Sequence, residues 1–444
     1  MDLTSRLRSV VRPGRPAASD GASLRELTYE PDDGRRYEAV LDLERVADVL
    51  AGRVVTNSFG RCLSIDRRYE ADRWHGDVQI GDCELNDFAA LRLLDSAIVN
   101  APAAGRRTVF IDLETTGLSG GAGTLAFLVG CGYFDGGAFQ VRQFLLTSHS
   151  AERALLAAAA ELFAEADLIV TYNGKTFDVP VMETRWAFHR IPAPLDETPH
   201  FDMLHPARRL WRSRSALADD GSGGGCRLTT LERVLLNLRR VGDVDGFEIP
   251  GRFFQFLRTA DPRPLEPVLE HNRLDIVSLA AVTGRALRLA AAGEQACGDA
   301  IEALALGRVF ERAGAMERAE ACYRRAADAQ CQHTRAEALY RLGLRHRRQG
   351  RFEDAAVWWR ELLAFTDSVG RRRDRVLDSL RDFAIEALAI HHEHRARNLH
   401  AARELAVFAL EEDGASPRAE GMRHRLARID RKLAKRQNAQ LLWS

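Results

Sequence analysis

The sequence predicts an α/β domain, a mixed sheet with flanking helices, followed by an all-α solenoid of helical repeats. Between residues 108 and 172, short apolar runs of strand length alternate with Gly-containing turns and one helical pattern. From about residue 298 the pattern is helical throughout. Leu306-Gly307, Gly314, Ala319 and Tyr323 recur there as Leu342-Gly343, Gly350, Ala355 and Trp359, each 36 residues on.

Residues 1–100 read as a tail followed by a small mixed module. Val54–Ile65 and Asp77–Cys83 have strand character, and Asn86 is placed to cap a helix through Phe88, Leu91 and Leu94. Ala101–Arg106 reads as a linker into a domain spanning 101–292. Thr108-Val-Phe-Ile-Asp112 is a buried strand, and Gly117–Thr124 should turn. Leu125–Phe134 and Ala138–Leu146 are two strands joined at Asp135-Gly-Gly137, a hairpin signal. Then come a helix over Glu152–Phe163, a strand over Leu168–Tyr172, and a helix over Val179–His189 stopped by Pro192 and Pro194. A Ser/Gly-rich insertion occupies 213–226. A helix from Thr229, a loop around Pro250 and a helix through His271–Arg288 close the domain. Residues 298–444 form the repeats. A third, degenerate unit runs from Ile385 to Leu410 with Ala402 at the small position, and a basic helix over Pro417–Gln437 follows. Small residues let paired helices pack closely, and such pairs stack into a solenoid.

At 444 residues the chain has room for two or three domains, and its 46% apolar and 28% charged residues fit a globular protein. It has no run of about 18 apolar residues, so no membrane contact is expected. Met1–Ser23 lacks the apolar block of a secretory signal and reads as a disordered tail. The seven cysteines include no C-x-x-C pair, which leaves structural zinc and iron–sulfur sites without support and fits free thiols in a reducing cytoplasm. The zero net charge hides an asymmetry. Residues 301–444 hold 28 Lys+Arg against 21 Asp+Glu, or +7, and the first 300 residues balance at −7.

Three blocks carry the chemistry. Asp112-Leu-Glu114-Thr115-Thr-Gly117 ends an apolar strand, and residues two apart on a strand project from one face. Tyr172-Asn173-Gly-Lys175-Thr-Phe-Asp178 leads into a helix, where Asp178 suits an N-cap or a metal ligand, two roles that do not exclude each other. His271-Asn-Arg-Leu-Asp275 puts His271 and Asp275 on one helix face. Taken singly, these are a strand end, a helix cap and a surface His–Asp pair. Together, Asp112, Glu114, Asp178 and Asp275 form a set that repels itself unless cations neutralise it. Hard divalent ions such as Mg²⁺ or Mn²⁺ prefer oxygen ligands, and two side by side can activate a water and stabilise a leaving oxygen in phosphodiester cleavage.

In this order the blocks resemble the Exo I, Exo II and Exo III motifs of the DEDD 3′→5′ exonuclease superfamily. The second block is similar to the Exo II pattern of family B DNA polymerase proofreading domains. Phe201-Asp-Met-Leu-His205-Pro-Ala-Arg-Arg-Leu-Trp211 and Leu228-Thr-Thr-Leu-Glu232-Arg233 extend the likeness. Residues 105–290 resemble the YprB-type ribonuclease H-like domain, and the resemblance continues into the tetratricopeptide-like tail. It implies a ribonuclease H-like mixed sheet and a metal-dependent nuclease releasing nucleotides from the 3′ end of DNA or RNA. It further implies two Mg²⁺ or Mn²⁺ ions on the four carboxylates, and His271 as general base. The chain departs from the pattern it resembles at one point. The DEDDh branch places His five residues before the last Asp, and the DEDDy branch places Tyr four before it. Here His271 stands at the Tyr spacing, and Glu270 occupies the other position.

Substrate contacts are expected from Thr115, Asn173, Lys175 and Trp211. Asn173 would bond the scissile strand or a nearby backbone. Lys175 would meet a phosphate or simply face solvent. Trp211, among Arg208, Arg209, Arg212 and Arg214, would stack on an unpaired base or sit in the core. The repeats' modest positive charge favours an acidic protein segment as their partner over nucleic acid. Two other readings stand beside the exonuclease: an inactive ribonuclease H-like nucleic-acid-binding scaffold, and an adaptor acting through its repeats.

Overall fold

The computed structural model describes residues 41–85, 88–98, 107–117, 123–195, 197–217, 226–369, 374–412 and 419–441. The expected N-terminal tail, the Asn86 cap, the 101–106 linker, most of the turn after Gly117 and residues 218–225 of the Ser/Gly-rich insertion lie outside these residues.

Helix α1 (Leu43–Val49) leads into a hairpin of β1 (Arg53–Asn57) and β2 (Gly60–Tyr69), then a short ladder of β3 (Trp74–His75) and β4 (Val78–Gln79) and helix α2 (Ala89–Leu94). Next come β5 (Thr108–Thr115), β6 (Ala126–Asp135), β7 (Ala138–Leu145), α3 (Glu152–Phe163), β8 (Leu168–Thr171), α4 (Asp178–His189), β9 (His200–Asp202), α5 (Leu204–Leu217), α6 (Leu228–Leu235), α7 (Ile249–Thr259) and α8 (Glu266–Ala292). Among the described residues the main sheet has seven strands in the order β1-β2-β7-β6-β5-β8-β9. Strands β1, β2, β7, β6 and β5 pair antiparallel, whereas β8 and β9 run parallel to β5. Asp135 pairs with Ala138 around Gly136 and Gly137, whose φ values of 57° and 74° are those a two-residue hairpin turn demands.

The hairpin of residues 53–69 corrects the expected separate module. β2 pairs with β7 from Leu63↔Leu145 to Tyr69↔Phe139, so these strands form the edge of the main sheet. Their apolar pattern is that of a half-buried strand in either case, and only the pairing partner decides which sheet they join. The expected Asp77–Cys83 strand is two residues of ladder followed by a 3₁₀ turn over Ile80–Cys83. Helices also occupy two stretches expected to be irregular. α5 continues to Leu217, into the predicted insertion, and α7 starts at Ile249 with Pro250 in its first turn, where proline is tolerated.

Strand β5 is apolar on both faces because both are covered. Val109, Ile111 and Leu113 pack with α3, α4 and α7, while Phe110 packs on the side of α8. Asp112 and Glu114 share that second face by strand alternation. Gly130 and Gly132 of β6 make room for α8. A Cβ at Gly130 would lie 2.2 Å from Asn272 Oδ1, and one at Gly132 would lie 2.4 Å from Ile276 Cγ2. These two glycines bring the helix of the third motif close to the strand beside the first.

The C-terminal helices are α9 (Ala300–Arg312), α10 (Met316–Ala327), α11 (Gln332–Arg348), α12 (Phe352–Val369), α13 (Arg375–His394), α14 (Leu399–Glu412) and α15 (Ala419–Leu441). The 36-residue recurrence has a packing cause. Gly307 accepts the Tyr323 ring and Gly343 the Trp359 ring, where an added Cβ would come within 2.5 and 2.1 Å. Gly314 and Gly350 end the first helix of each pair with φ of 78° and 75°. Ala402 is fully buried in the next pair. One apolar core runs from Phe110 and α8 through Leu304 and Phe310 to Trp359 and Leu388, so the repeats are packed onto the sheet domain. The segment Arg263–Ala296 is long and apolar enough to cross a membrane by length and composition, but 78% of its most apolar window is buried inside the protein, as in a core helix.

Candidate active site: an acidic pocket between sheet and helix

Asp112, Glu114, Asp178, His271 and Asp275 line one open cavity of about 880 Å³. A β-bulge at Glu114/Thr115 shifts the register of β5 against β6 just past the acidic pair, where Thr115 pairs with Ala126. Asp178 is the first residue of α4, which follows β8. One turn of α8 supplies His271 and Asp275.

The electrostatics are those of a crowded acid cluster. Burial first, and then the charges of Asp275, Glu114 and Asp178, push the Asp112 carboxyl well above the usual range. Burial, Asp275, Asp178 and Asp243 do the same to Glu114. Asp178 is pushed up to about 7, chiefly by burial, against the opposing pull of its own and the Leu113 backbone amides. Such a cluster is short of positive charge.

Side chains to which the motifs assign no role complete the site: Asn272 from α8, Glu232 from α6, and Arg240 and Asp243 from the connection between α6 and α7. Asn272, fully buried, donates from Nδ2 to Asp112 Oδ2 at 2.7 Å and to Asp112 O at 3.1 Å, while its own Oδ1 accepts from Gln143 Nε2 at 2.8 Å. The Arg240 guanidinium ion-pairs with Asp275 and is itself gripped by Glu232, at 2.6 and 2.8 Å. Asp243 Oδ1 lies 2.7 Å from His271 Nδ1. Arg240 Nη1 also stands 3.4 Å from Nδ1. Toward the shorter Asp243 contact, with a carboxylate that only accepts, Nδ1 is the donor, and the other ring nitrogen, Nε2, stands 3.4 Å from Asp275 Oδ2. Glu270 pairs instead with Arg273, and only His271 of the two lines the cavity. The Leu228–Arg233 stretch contained Glu232. Arg240 and Asp243 carried no signal, because nothing local ties them to residues about 30 positions later.

The expected substrate contacts divide. Thr115 lines the cavity, with its hydroxyl donating to Gly117 O at 3.0 Å. Asn173, at φ 70°, donates its N–H to Asp202 Oδ1 at 2.8 Å, and its side-chain oxygen accepts from Thr176. Lys175 Nζ is 3.2 Å from Asp95, and its N–H donates to Asp202. Neither Asn173 nor Lys175 lines the cavity. Trp211 is a correction. It is fully buried and donates from Nε1 to Glu302 Oε1 at 2.7 Å, bracing α5 against the first repeat helix, and cannot stack on a base.

An all-carboxylate donor set with mutually raised pKa values has the chemistry that suits a hard divalent cation. Among the described residues, no group of three or more His, Cys, Asp or Glu stands close enough together to hold one as arranged, and Asp275 is occupied by Arg240.

A family model described as RNase H superfamily matches residues 109–287. The chain is 31% identical over 332 residues to the uncharacterized protein YprB of Bacillus subtilis, covering 73% of this chain and 74% of that one. Among solved structures it is similar to a family B DNA polymerase from the hyperthermophilic archaeon Pyrobaculum calidifontis, at 12% identity and a TM-score of 0.30, over 57% of this chain and about a third (34%) of the polymerase.

Proposed function

This chain belongs to the family of Bacillus subtilis YprB and carries an RNase H superfamily domain, and from that premise we propose that it is a metal-dependent 3′→5′ exonuclease acting on DNA or RNA. The observation that carries the reading is the convergence of four carboxylates, from three distant segments, on one pocket where burial and mutual repulsion raise the pKa values of three of them. Asp112, Glu114, Asp178 and Asp275 would hold Mg²⁺ or Mn²⁺. Two such ions, when bound, supply activation of a water and neutralisation of the leaving 3′ oxygen.

The protein's own groups do the rest. Asn272 fixes the rotamer of Asp112 and thereby aims its second oxygen. Asp243 holds the His271 ring by Nδ1, which leaves Nε2 as the basic nitrogen on the pocket side, poised to take a proton from water. Arg240, locked by Glu232, sets the position of Asp275. Thr115 stands at the mouth near the end of β5.

Mn²⁺-supported degradation of end-labelled DNA and RNA, single- and double-stranded, tests the proposal. Wild-type protein should shorten at least one substrate from its 3′ end. Asp112→Ala should lose activity by a factor of order 10² or more, as loss of a main electrostatic element does. An Asp112→Ala preparation that degrades nucleic acid at the wild-type rate, with contaminants excluded, ends this reading. His271→Ala should lower turnover while metal affinity, read by calorimetry, stays near wild type.

A further inference from the structure

We infer that the mouth of the acidic pocket carries an aromatic platform for an unpaired nucleobase, with Phe247 as its principal ring and Phe177 as a second. The inference rests on the exonuclease reading and names the substrate form that reading leaves open.

Half of the 20 phenylalanines of this chain are buried in the core, among them Phe110, Phe127, Phe253 and Phe310. Among the described residues a few are well exposed, and these fall into two groups. Phe59 lies under the Arg153 guanidinium at 4.2 Å, Phe188 under Arg185 at 4.6 Å, and Phe254 against Phe253 at 5.9 Å. Phe177, 51% exposed, and Phe247, 81% exposed, have no such ring or cation partner, and both line the acidic pocket. Among the exposed phenylalanines described, the two without a partner are therefore the two beside the carboxylates. Trp74, 62% exposed, likewise has no ring or cation contact and does not line the pocket.

Exposure of Phe247 does not come from a loosely held loop. The connection between α6 and α7 is pinned on both sides of it. Val244 and Ile249 are buried, and Arg240 is fixed in its ion pairs with Glu232 and Asp275. Glu248 N–H donates to Asp245 O at 2.8 Å across the turn that displays the ring. A ring displayed from a backbone turn that is already fixed needs no ordering of the loop when a flat partner stacks on it. In a pocket that handles a phosphodiester, the flat group beside the phosphate is the base. Stacking needs an open π-face, which a base buried in a duplex does not offer. The platform thus selects ends whose last nucleotides are unpaired, and it does so through base shape rather than sequence.

The test uses the full chain and short 5′-labelled oligonucleotides with Mn²⁺. One set ends in ordinary unpaired nucleotides, a second carries abasic residues at the 3′ end, and a third is blunt duplex. Phe247→Ala should raise KM on the unpaired end about tenfold or more with a smaller effect on kcat, and Phe247→Tyr should restore it. On the abasic end, wild type should already show the raised KM, and Phe247→Ala should add nothing. The preference for unpaired over blunt ends should shrink in Phe247→Ala. Equal KM values for wild type and Phe247→Ala, or an equal loss on ordinary and abasic ends, would overturn the platform while leaving the exonuclease standing. If wild type cleaves none of the substrates, the exonuclease reading fails instead. Anisotropy of the same oligonucleotides then decides the platform: binding unchanged in Phe247→Ala refutes it, and a loss confined to base-bearing ends upholds it.

Discussion

The pocket and the repeats treat the same side chain in opposite ways. In the repeats, acids are surrounded by cations. Glu320 bonds Arg345 and Arg324 and is held down to about 2, and Glu393 bonds Arg425, Arg428 and Lys432, also down to about 2. Glu311 is shared by Arg341 and Arg348. In the pocket, Asp112, Glu114 and Asp178 are buried beside one another and pushed up, with Arg240 close by but spent on Glu232 and Asp275. Satisfied acids hold helices together. Unsatisfied acids lower stability and persist only where something else supplies the charge. Much of the arginine excess of the repeats is absorbed internally in this way, so net charge alone is a poor guide to what the repeats bind.

Neutralising one acid in each region should separate the two roles most sharply. Asp178→Asn should cut nuclease activity by a factor of order 10² or more and leave the melting temperature of the metal-free protein unchanged or higher. Glu393→Gln should leave activity intact and cost about 1–3 kcal/mol of stability, because three cations lose their shared acceptor; denaturant unfolding with amide exchange in α13 and α15 measures it. If both variants lose stability alike, the contrast is wrong. Moving the helix off the sheet is the next largest perturbation. Gly130→Ala would press on Asn272 and Ile276 and should cost about 1–3 kcal/mol as overpacking, with activity falling further than stability alone explains, since Asp112 loses its fixed neighbour.

The two regions should also answer pH with opposite signs. The pocket carboxyls have folded pKa values raised above their unfolded ones. Their contribution is fully present below the unfolded value, 3.8 for Asp178, and is lost as pH rises through about 7. Glu320 and Glu393 have folded values lowered from 4.5, so their contribution is present above 4.5 and is lost as pH falls toward about 2. In EDTA, exchange at β5 and the first turns of α8 should therefore quicken, relative to intrinsic rates, between pH 5 and 8, while α13 and α15 stay protected. Mn²⁺ should reverse the pocket's loss more at pH 8 than at pH 5. Equal stabilisation by Mn²⁺ at both would place the ion elsewhere. The smallest effect is expected at Lys175. Its exposed pair with Asp95 is worth about 1 kcal/mol or less, and Lys175→Ala should change oligonucleotide binding little.

The local chemistry was legible. The Asp112–Gly117 strand end, the Glu152–Phe163 helix, the Asp135–Ala138 hairpin and the 36-residue repeat all rest on periodicity or turn residues within a few positions of each other, and all stand in the structure where the pattern puts them. Trp211 shows where that kind of reasoning stops. Its basic neighbours suited a nucleic-acid face and its helix suited a core, and only the arrival of Glu302 from the first repeat decides for the core. The hairpin of residues 53–69 is similar: alternation fixes which side chains face inward, whereas the edge it joins is set by β7, some 75 residues on.

The sequence by itself marked Asp112 and Glu114, two apart on a strand, His271 and Asp275, four apart on a helix, and the helical units of the tail, because these follow from side-chain periods of two or 3.6 residues. Asp178 entered only through the resemblance of its block to the Exo II motif. Tertiary structure decided which residues serve them. Gly130 lets α8 approach, Asn272 steadies Asp112, and Asp243 and Arg240 seize His271 and Asp275 from a loop about 30 residues earlier. These are contacts between segments with no common period, fixed only when close packing brings α8 against β5 and β6 and leaves each buried polar group the partners within reach.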